Sequence, residues 1–267
     1  MSQEQTISYV LITGTTSGLG REFARIFAQN GYNIVAVARN EVLLQQQKQE
    51  LERQFGIEMV YVVKDLSAEN SAQEVYDEIK HKGINIDILI NNAGFGSFGR
   101  YVDVDWQRQK GLASVNMLAV MQLSYLFGKD MDRRGEGKIV NIASIASFQA
   151  GPYMAMYYAS KAFVRSFSEA LHEEMKSSGV SVTAICPGPV ATNFERNANM
   201  INSAMFTRLR VYTPEVVAAK SYRAIMNNKA VYVVGWPNKL LVFLTRFCSL
   251  KFSRVLASKI NLGSGRK

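Results

Sequence analysis

A tyrosine and a lysine four residues apart are the pair in this sequence with the clearest chemical use. Tyr157 and Lys161 lie in a stretch with a helical pattern, and side chains four apart share one face of a helix. A phenol has a pKa of about 10, and a nearby ammonium favours its charged form. Tyr158 lacks such a partner because Ala162 stands four residues further on. We therefore predict that Tyr157 exchanges protons with a substrate oxygen and that Lys161 assists it.

A serine upstream of this pair is the second candidate. Ser144 follows the predicted strand Lys138–Ala143, and doubly wound enzymes place active groups at the carboxyl ends of such strands. Its hydroxyl could orient a substrate carbonyl and stabilise negative charge that develops on the oxygen. Ser147 is the nearest alternative hydroxyl.

A glycine-rich turn near the N-terminus predicts an anion site. The sequence Thr-Gly-Thr-Thr-Ser-Gly-Leu-Gly, residues 13–20, joins the first predicted strand to a helix. Glycines there let the backbone turn tightly and approach a pyrophosphate, while the helix N-terminus favours the anion. The alternative is an ordinary loop with a Ser or Thr that caps the helix.

The elements that position these residues alternate along the chain. The predicted strands are short, continuous Val/Ile runs, as expected where both faces of a parallel sheet are buried. The predicted strands are Ser8–Thr13, Asn33–Ala38, Glu58–Val63, Ile86–Asn91, Lys138–Ala143, Ser181–Cys186 and Val231–Val234. The predicted helices are Leu19–Asn30, Glu41–Gln54, Ala68–His81, about Asp105–Asp130, Tyr158–Ser177 and Pro214–Asn227. We predict an α/β, single-domain Rossmann fold over residues 1–267: a doubly wound parallel sheet of about seven strands with helices on both faces.

With these motifs in this order, the chain resembles the short-chain dehydrogenase/reductase family between about Val10 and Thr192. Beside the turn and the Tyr-x-x-x-Lys pair, Asn91-Asn92-Ala93-Gly94 follows the fourth strand, as that family's Asn-Asn-Ala-Gly does. Residues 187–192, Pro-Gly-Pro-Val-Ala-Thr, resemble its Pro-Gly-x-Val-x-Thr. The resemblance implies an oxidoreductase that transfers hydride between a nicotinamide dinucleotide and a carbonyl or secondary alcohol.

The resemblance also assigns catalytic roles. Ser144 fits the family's spacing to Tyr157 better than Ser147 does. Asn116 matches the family's helix asparagine, which kinks the helix and holds a proton-relay water; its alternative is a polar residue on a helix face. In reduction the pro-S hydride goes to the carbonyl carbon, Ser144 polarises the oxygen, Tyr157 protonates it, and Lys161 with Asn116 relays the next proton.

The dinucleotide-binding residues implied by the same motifs come from six segments. They are Gly14, Thr16, Ser17, Gly18, Leu19, Gly20, Arg39, Asp65, Leu66, Asn92, Ala93, Gly94, Tyr157, Lys161, Pro187, Gly188, Val190 and Thr192.

The end of the second strand favours NADP(H) over NAD(H). Ala38 occupies the place where an NAD site has a carboxylate for the ribose hydroxyls. Arg39 follows it, and its guanidinium can pair with a 2′-phosphate. The alternative is a surface arginine in an enzyme that accepts either cofactor. Asp65 resembles the family's adenine-binding aspartate, or is simply an acid near a helix N-terminus.

Residues 193–213 are the predicted substrate loop. The loop and other segments near the site are rich in Phe and Met, which suits a small hydrophobic carbonyl or alcohol, although many of these side chains could equally be core. These residues are Phe95, Phe98, Phe148, Tyr153, Met154, Met156, Phe194, Met200, Ile201, Met205, Phe206 and Leu209.

Residues 236–267 form a basic, apolar C-terminal extension. Ten Lys or Arg and no Asp or Glu follow Glu215, within a net charge of +9. This stretch could lie on an anionic membrane surface, pack against another subunit, or be a solvated basic face. Leu240–Leu250 is too short to span a bilayer.

Composition bounds the remaining possibilities. Two cysteines and no apparent signal segment indicate a reducing cytoplasm, with membrane association left open. His81 and His172 have no ligand spacing, so no metal site is expected, and His172 is predicted to be solvated. No recognition motif indicates nucleic acid. The resemblance implies a homodimer or homotetramer. The alternative function is a non-enzymatic NADPH-binding sensor or scaffold.

Overall fold

Seven parallel strands form one twisted sheet in the computed structural model, which describes residues 8–192, 194 and 210–262. The strands are β1 (Tyr9–Thr13), β2 (Asn33–Ala38), β3 (Met59–Val63), β4 (Ile86–Asn91), β5 (Gly137–Ile142), β6 (Val180–Cys186) and β7 (Val231–Val233). Their order is β3-β2-β1-β4-β5-β6-β7. The order reverses at β1, so β1 and β4 flank the switch point where ligands bind in such sheets. The predicted doubly wound Rossmann fold is confirmed.

The helices up to residue 226 fall close to their predicted positions, whereas the two helices after it were not predicted. They are α1 (Gly18–Gln29), α2 (Glu41–Phe55), α3 (Ser71–His81), α4 (Trp106–Ala113), α5 (Val120–Arg134), α6 (Ala155–Glu174), α7 (Pro214–Met226), α8 (Trp236–Thr245) and α9 (Leu250–Leu262). Helix α6 begins three residues before the predicted start, so Tyr157 lies inside it. Helix α3 begins three residues later than predicted, because residues 65–70 form a turn.

Two apolar cores cover the two faces of the sheet. On one face, α1, α2 and α7 pack through residues such as Phe23, Leu44 and Val217. On the other face, α3 and α5 pack through residues such as Val75 and Phe127. Alternate strand residues enter opposite cores, which explains why the strand sequences are apolar at consecutive positions.

A buried polar chain ties the centre of the sheet to two helices. The Asn91 side-chain amide donates to Ser124 Oγ at 3.1 Å and to Asn141 Oδ1 at 2.8 Å. Asn141 in turn donates to Ser168 Oγ at 2.9 Å. These bonds connect β4 and β5 to α5 and α6, and therefore fix the helix that carries Tyr157 relative to the sheet.

One histidine differs from its prediction. Instead of a solvated side chain, His172 is partly buried, and its Nδ1 lies 2.8 Å from the carbonyl oxygen of Val182 on β6. The neighbouring glutamates made the segment look exposed, but α6 turns this position towards the sheet.

Continuous helix from Trp106 to Arg134 is the one stretch, among the described residues, that is long and apolar enough to cross a membrane. It has 29 residues, and its most apolar window of 18 residues has a mean hydropathy of 1.3 and is half buried within the protein. That burial is typical of a core helix, which passes the same test of length and composition.

Candidate active site

Most of the predicted site residues meet in one cavity at the carboxyl edge of the sheet. The cavity has a volume of about 990 Å³. Its walls come from the loops that follow β1 to β6 and from the C-terminal helices α8 and α9. Of the residues predicted to bind the dinucleotide, only Gly20 is not part of the lining.

The glycine-rich turn is shaped for close approach by a ligand. Gly14 and Gly18 have φ angles of +73° and +54°, which favour glycine. A Cβ on Gly20 would lie 2.1 Å from the Gly14 carbonyl oxygen. Gly20 therefore packs beneath the turn rather than facing the ligand, and this corrects its predicted role. Ser17, the residue before α1, does not cap the helix with its side chain, so the first amides of α1 are available to an anion.

Reciprocal hydrogen bonds brace the turn from β4. Thr13 Oγ1 accepts from the backbone amides of Asn92 and Ala93 at 3.0 and 2.9 Å. The Asn92 side chain donates back to the carbonyl oxygens of Thr13 and Gly14 at 2.8 and 3.2 Å. The Asn-Asn-Ala-Gly segment thus supports the turn and lines the cavity at the same time.

Arg39 and Asp65 lie together at one end of the cavity. Their side chains form an ion pair at 3.8 Å, and the Arg39 side chain is 78% exposed. Burial raises the pKa of Asp65, but hydrogen bonds from Ser67 and the charge of Arg39 outweigh it and hold that pKa below its usual value. Because its side chain is so exposed, Arg39 can turn towards a phosphate. The last residue of β2 is Ala38, so no carboxylate stands at the end of that strand.

Tyr157, Ser144 and Lys161 form a compact group at the other end. Ser144 follows β5 and accepts a hydrogen bond from the Ala146 amide at 3.1 Å. Lys161 Nζ donates to the carbonyl oxygen of Ile142 at 2.7 Å and lies 5.9 Å from the centre of the Tyr157 ring. One turn of α6 thus carries the tyrosine and the lysine to the end of β5, as their spacing predicted.

Burial dominates the titration of this group. Burial raises the pKa of Tyr157 to about 12, partly offset by a hydrogen bond with Ser144. Burial also lowers the pKa of Lys161 to about 8. The expected lowering of the tyrosine pKa by the ammonium is therefore wrong for this geometry. At neutral pH Tyr157 keeps its proton, which is the form that a proton donor needs.

Asn116 stands at an irregular turn of helix and is fully buried. Residues Ser114–Ala119 form a π-helical turn between α4 and α5. The Asn116 side chain exchanges hydrogen bonds with the backbone of Phe95 at 3.0 and 3.1 Å and donates to Ser160 at 3.2 Å. Its side chain thus fixes the loop after β4 and does not line the cavity.

Ser147 does not line the cavity, because hydrogen bonds hold its side chain elsewhere. It is buried, is absent from the lining, and its Oγ donates to the carbonyl oxygen of Ser144 at 2.6 Å. It also hydrogen bonds with the buried thiol of Cys186, whose pKa burial raises to about 12. Ser144 is the serine that faces Tyr157. Among the described residues no group of Asp, Glu, His and Cys could hold a metal ion.

The C-terminal helices supply the part of the wall that the sequence did not predict. Their lining residues are Leu241, Val242, Leu244, Thr245, Cys248, Phe252, Ser253, Leu256, Ala257 and Ile260. The spacing 241, 244, 245, 248 is that of one helix face, and this signal was present in the sequence. It was obscured because other faces of the same helices are also apolar.

The predicted aromatic and methionine wall is partly present. Phe95, Phe148, Met154 and Phe194 line the cavity, whereas Phe98, Tyr153 and Met156 do not. Phe194 packs on the Tyr157 ring, with 5.2 Å between ring centres. Most of the predicted substrate loop, residues 193 and 195–209, lies outside the described residues, including Met200, Ile201, Met205, Phe206 and Leu209.

One buried asparagine fastens α9 to the active-site helix. The Asn261 Oδ1 accepts from the Tyr158 hydroxyl at 3.2 Å, and its Nδ2 donates to the Pro152 carbonyl oxygen at 2.8 Å. Burial raises the pKa of Tyr158 to about 12, and the hydrogen bond with Asn261 offsets part of this rise. Tyr158 is therefore a structural neighbour of Tyr157 that joins the C-terminal wall to α6.

Comparisons with known proteins agree with this architecture. A family model described as short chain dehydrogenase matches residues 8–202. The chain is 34% identical over 195 residues to a very-long-chain 3-oxoacyl-CoA reductase of Bos taurus, covering 70% of this chain and 61% of that protein. The chain therefore spans less than two thirds of that relative.

Two further similarities extend over nearly the whole chain. A Helicobacter pylori protein named "Probable short-chain type dehydrogenase/reductase VdlC" is 32% identical over 252 residues, which cover 94% of this chain and 89% of that protein. The solved structure of a short-chain dehydrogenase from Sphingobium yanoikuyae in complex with NADPH superposes with a TM-score of 0.81 at 27% identity, covering 90% of this chain and 94% of that one.

Burial of Lys161 predicts a pH-dependent stability. In the folded chain this amine releases its proton near pH 8, whereas in the unfolded chain it holds it to about pH 10.5. Between these values the unfolded state binds more protons, so stability rises with pH. From pH 7.5 to 9.5 we expect wild-type stability to gain roughly 1–2 kcal/mol relative to Lys161→Met. Urea unfolding of both proteins at each pH measures this, and parallel curves would contradict it.

Removal of the Asn261 side chain should loosen the C-terminal wall. Asn261→Ala leaves Tyr158 Oη and the Pro152 carbonyl without their partners, which we expect to cost about 1–3 kcal/mol. Hydrogen exchange in residues 250–262 should accelerate, while exchange in β1 and β4 stays unchanged. Lys259→Ala, at an exposed position of the same helix, is the control and should change stability by less than about 0.5 kcal/mol. Equal effects of both variants would contradict the assignment.

Proposed function

Since the chain belongs to the short-chain dehydrogenase/reductase family of oxidoreductases, we propose that it is an NADP(H)-dependent reductase of a hydrophobic ketone or aldehyde. The observation that carries this proposal is the convergence of Tyr157, Ser144 and Lys161 in the cavity that the glycine-rich turn also lines. The reverse reaction, oxidation of a secondary alcohol, uses the same groups.

The cavity has the features that a dinucleotide requires. The turn at Gly14–Gly20 and the amides of α1 suit a pyrophosphate, and Asp65 and Leu66 suit the adenine end. The segment from Pro187 to Thr192 and the pair Tyr157 and Lys161 suit the nicotinamide end. When bound, the dinucleotide supplies or accepts the hydride.

The chain's own residues would manage the oxygen of the substrate. Ser144 Oγ donates a hydrogen bond to the carbonyl oxygen and stabilises the charge that develops there. Tyr157 donates its proton to the same oxygen. Lys161 then returns a proton towards Tyr157, with a pKa of about 8 that matches this task near neutral pH. Asn116 acts as a positioning residue, since it fixes Phe95 and the π-helical turn beside Lys161.

The cavity wall favours a hydrophobic substrate. Phe148, Met154 and Phe194 form one part of the wall, and Leu, Phe and Ile side chains of α8 and α9 form another. A very-long-chain 3-oxoacyl-CoA reductase among the relatives and these apolar walls support a long aliphatic or multi-ring carbonyl compound as the substrate.

Arg39 favours NADP(H) over NAD(H). It is the cation at the end of β2, and its guanidinium can exchange the long 3.8 Å contact with Asp65 for a bidentate contact with a 2′-phosphate. The structural neighbour from Sphingobium yanoikuyae was solved with NADPH.

An alternative function and an oligomeric state also belong to this proposal. A non-enzymatic NADPH sensor or scaffold would need the fold and the turn but not Tyr157. A homodimer or homotetramer formed through α5 and the π-helical turn before it is favoured by the exposed side chains Leu118, Met121 and Tyr125.

Replacing Tyr157 tests the reductase proposal. With NADPH and a panel of hydrophobic aldehydes, ketones, ketosteroids and 3-oxoacyl thioesters, Tyr157→Phe should lower kcat about 100- to 10,000-fold, because the proton donor is lost. NADPH affinity, measured by its fluorescence, should fall less than about tenfold, because Tyr157→Phe removes one hydrogen bond at the nicotinamide end and leaves the phosphate and adenine contacts in place. Tyr158→Phe is the matched control and should keep kcat within about tenfold. NADPH binding without turnover of any compound by the wild type would favour the sensor instead.

Replacing Arg39 tests the cofactor preference. Arg39→Ala should weaken NADPH binding about 10- to 100-fold, because charge-assisted hydrogen bonds to the 2′-phosphate are lost. NADH binding should stay within about twofold, since NADH lacks that phosphate. Arg53→Ala, on the exposed side of α2, should affect neither dissociation constant. An equal loss of both cofactors would contradict the role of Arg39.

A further inference from the structure

The two C-terminal helices present a large apolar area to solvent as well as a wall to the cavity. Nine large apolar side chains on them are exposed by 42–80%, and we call these the apolar surface. They are Trp236, Leu240, Phe243, Leu244, Phe247, Leu250, Phe252, Val255 and Leu256. On α8 the positions 240, 243 and 244 share one helix face, and on α9 the positions 252, 255 and 256 do so. Phe247 lies in the link between the two helices. Contiguous apolar areas of this kind mark interaction sites.

Exposed cations accompany the apolar surface. They are Lys239, Arg246, Lys251, Arg254 and Lys259. Within residues 8–192, 194 and 210–262, none of them forms an ion pair with a carboxylate. The chain has no Asp or Glu after Glu215. The positive charge around the apolar surface is therefore not balanced by acidic residues on the same helices.

We propose that the apolar surface and these five cations dock the protein on an anionic lipid bilayer. Leu, Phe and Trp side chains on one side of a helix with Lys and Arg beside them match the headgroup boundary of a bilayer, where apolar groups enter the acyl region and cations meet anionic headgroups. A neutral partner would leave five charges without a counterpart. This docking does not depend on the proposed reaction.

The cavity and the apolar surface share three side chains, which supports the choice of lipid. Leu244, Phe252 and Leu256 line the cavity, and each is also at least 42% exposed. The apolar surface is thus continuous with the edge of the cavity. Docking through this surface turns that edge of the cavity to the lipid, where an amphiphilic ligand partitions.

Vesicle flotation of the full chain tests the docking. We expect the protein to float with vesicles of phosphatidylcholine and phosphatidylserine, and at least tenfold less with phosphatidylcholine alone. Lys251→Gln/Arg254→Gln should weaken binding to the anionic vesicles at least tenfold, because each cation near the surface contributes about 1 kcal/mol. Phe247→Ser/Leu250→Ser should weaken it at least tenfold as well, since these side chains would no longer enter the acyl region. All four positions are exposed and lie outside the cavity lining.

Matched variants elsewhere on the surface serve as controls. Val42→Ser/Val102→Ser removes two apolar side chains of comparable exposure, 62% and 76%, and Arg53→Gln/Lys110→Gln removes two exposed cations. Both control variants should float like the wild type. Loss of vesicle binding in the controls to the same degree would overturn the proposal, because binding would then depend on the overall charge and apolarity of the protein rather than on the apolar surface.

Three other results would also overturn it: no flotation with either vesicle, equal flotation with both, or flotation that Phe247→Ser/Leu250→Ser leaves unchanged. Sedimentation velocity without lipid distinguishes a second copy of the chain as the occupant. If the Phe247/Leu250 variant changes a larger species to a smaller one and vesicles bind neither protein, the apolar surface is a contact between subunits.

Discussion

The site depends on the hydrogen-bonded junction between Thr13 and Asn92. Thr13 ends β1 and Asn92 directly follows β4 at the switch point, and four hydrogen bonds between 2.8 and 3.2 Å link Thr13, Gly14, Asn92 and Ala93. The junction holds the glycine-rich turn on one side. On the other side it fixes Gly94, whose Cα faces Asn116 Oδ1 and Lys161 Nζ so closely that an added Cβ would lie 3.1 and 3.5 Å from them. The proposed anion site and the proposed proton-transfer site are therefore built on one edge of the sheet.

Lys161 shows what this rigidity has to offset. Its amine is buried beside the end of β5, where it donates a hydrogen bond to the Ile142 carbonyl oxygen, and burial depresses its pKa to about 8. A buried ammonium is costly, and the protein keeps it beside Tyr157 because α6 is fixed to the sheet by Asn141 and Ser168. The resulting amine changes charge close to neutral pH, whereas an exposed lysine would not. Burial thus raises the pKa of Tyr157 and lowers the pKa of Lys161, and shifted pKa values of this kind are typical of acid/base sites.

How much the sequence could reveal depended on how local each signal is. The parallel sheet followed from continuous apolar runs, and the meeting of Tyr157 with Ser144 followed from strand ends and helix spacing, which are short-range rules. The place of Gly20 under the turn and the bonding of Asn116 to Phe95 depend on contacts between distant segments. The tyrosine pKa was expected to fall because charge was considered and burial was not. The burial of His172 was also not predicted, because its hydrogen-bond partner Val182 lies on another element of the fold.

The C-terminal helices resisted prediction because their pattern has more than one apolar face. For a helix that is apolar on one side only, the sequence pattern predicts which face is buried. Helix α8 instead has Leu241 and Thr245 towards the cavity and Leu240 and Phe243 towards solvent. Periodicity alone cannot decide which face is the wall. The structure resolves the inner face through Asn261, which α9 buries between Tyr158 and Pro152. Because the same two helices form the cavity wall and the outer apolar surface, whatever occupies the outer surface also constrains the side chains at the edge of the cavity. The wall of the cavity and the outer apolar surface therefore belong to one structural unit.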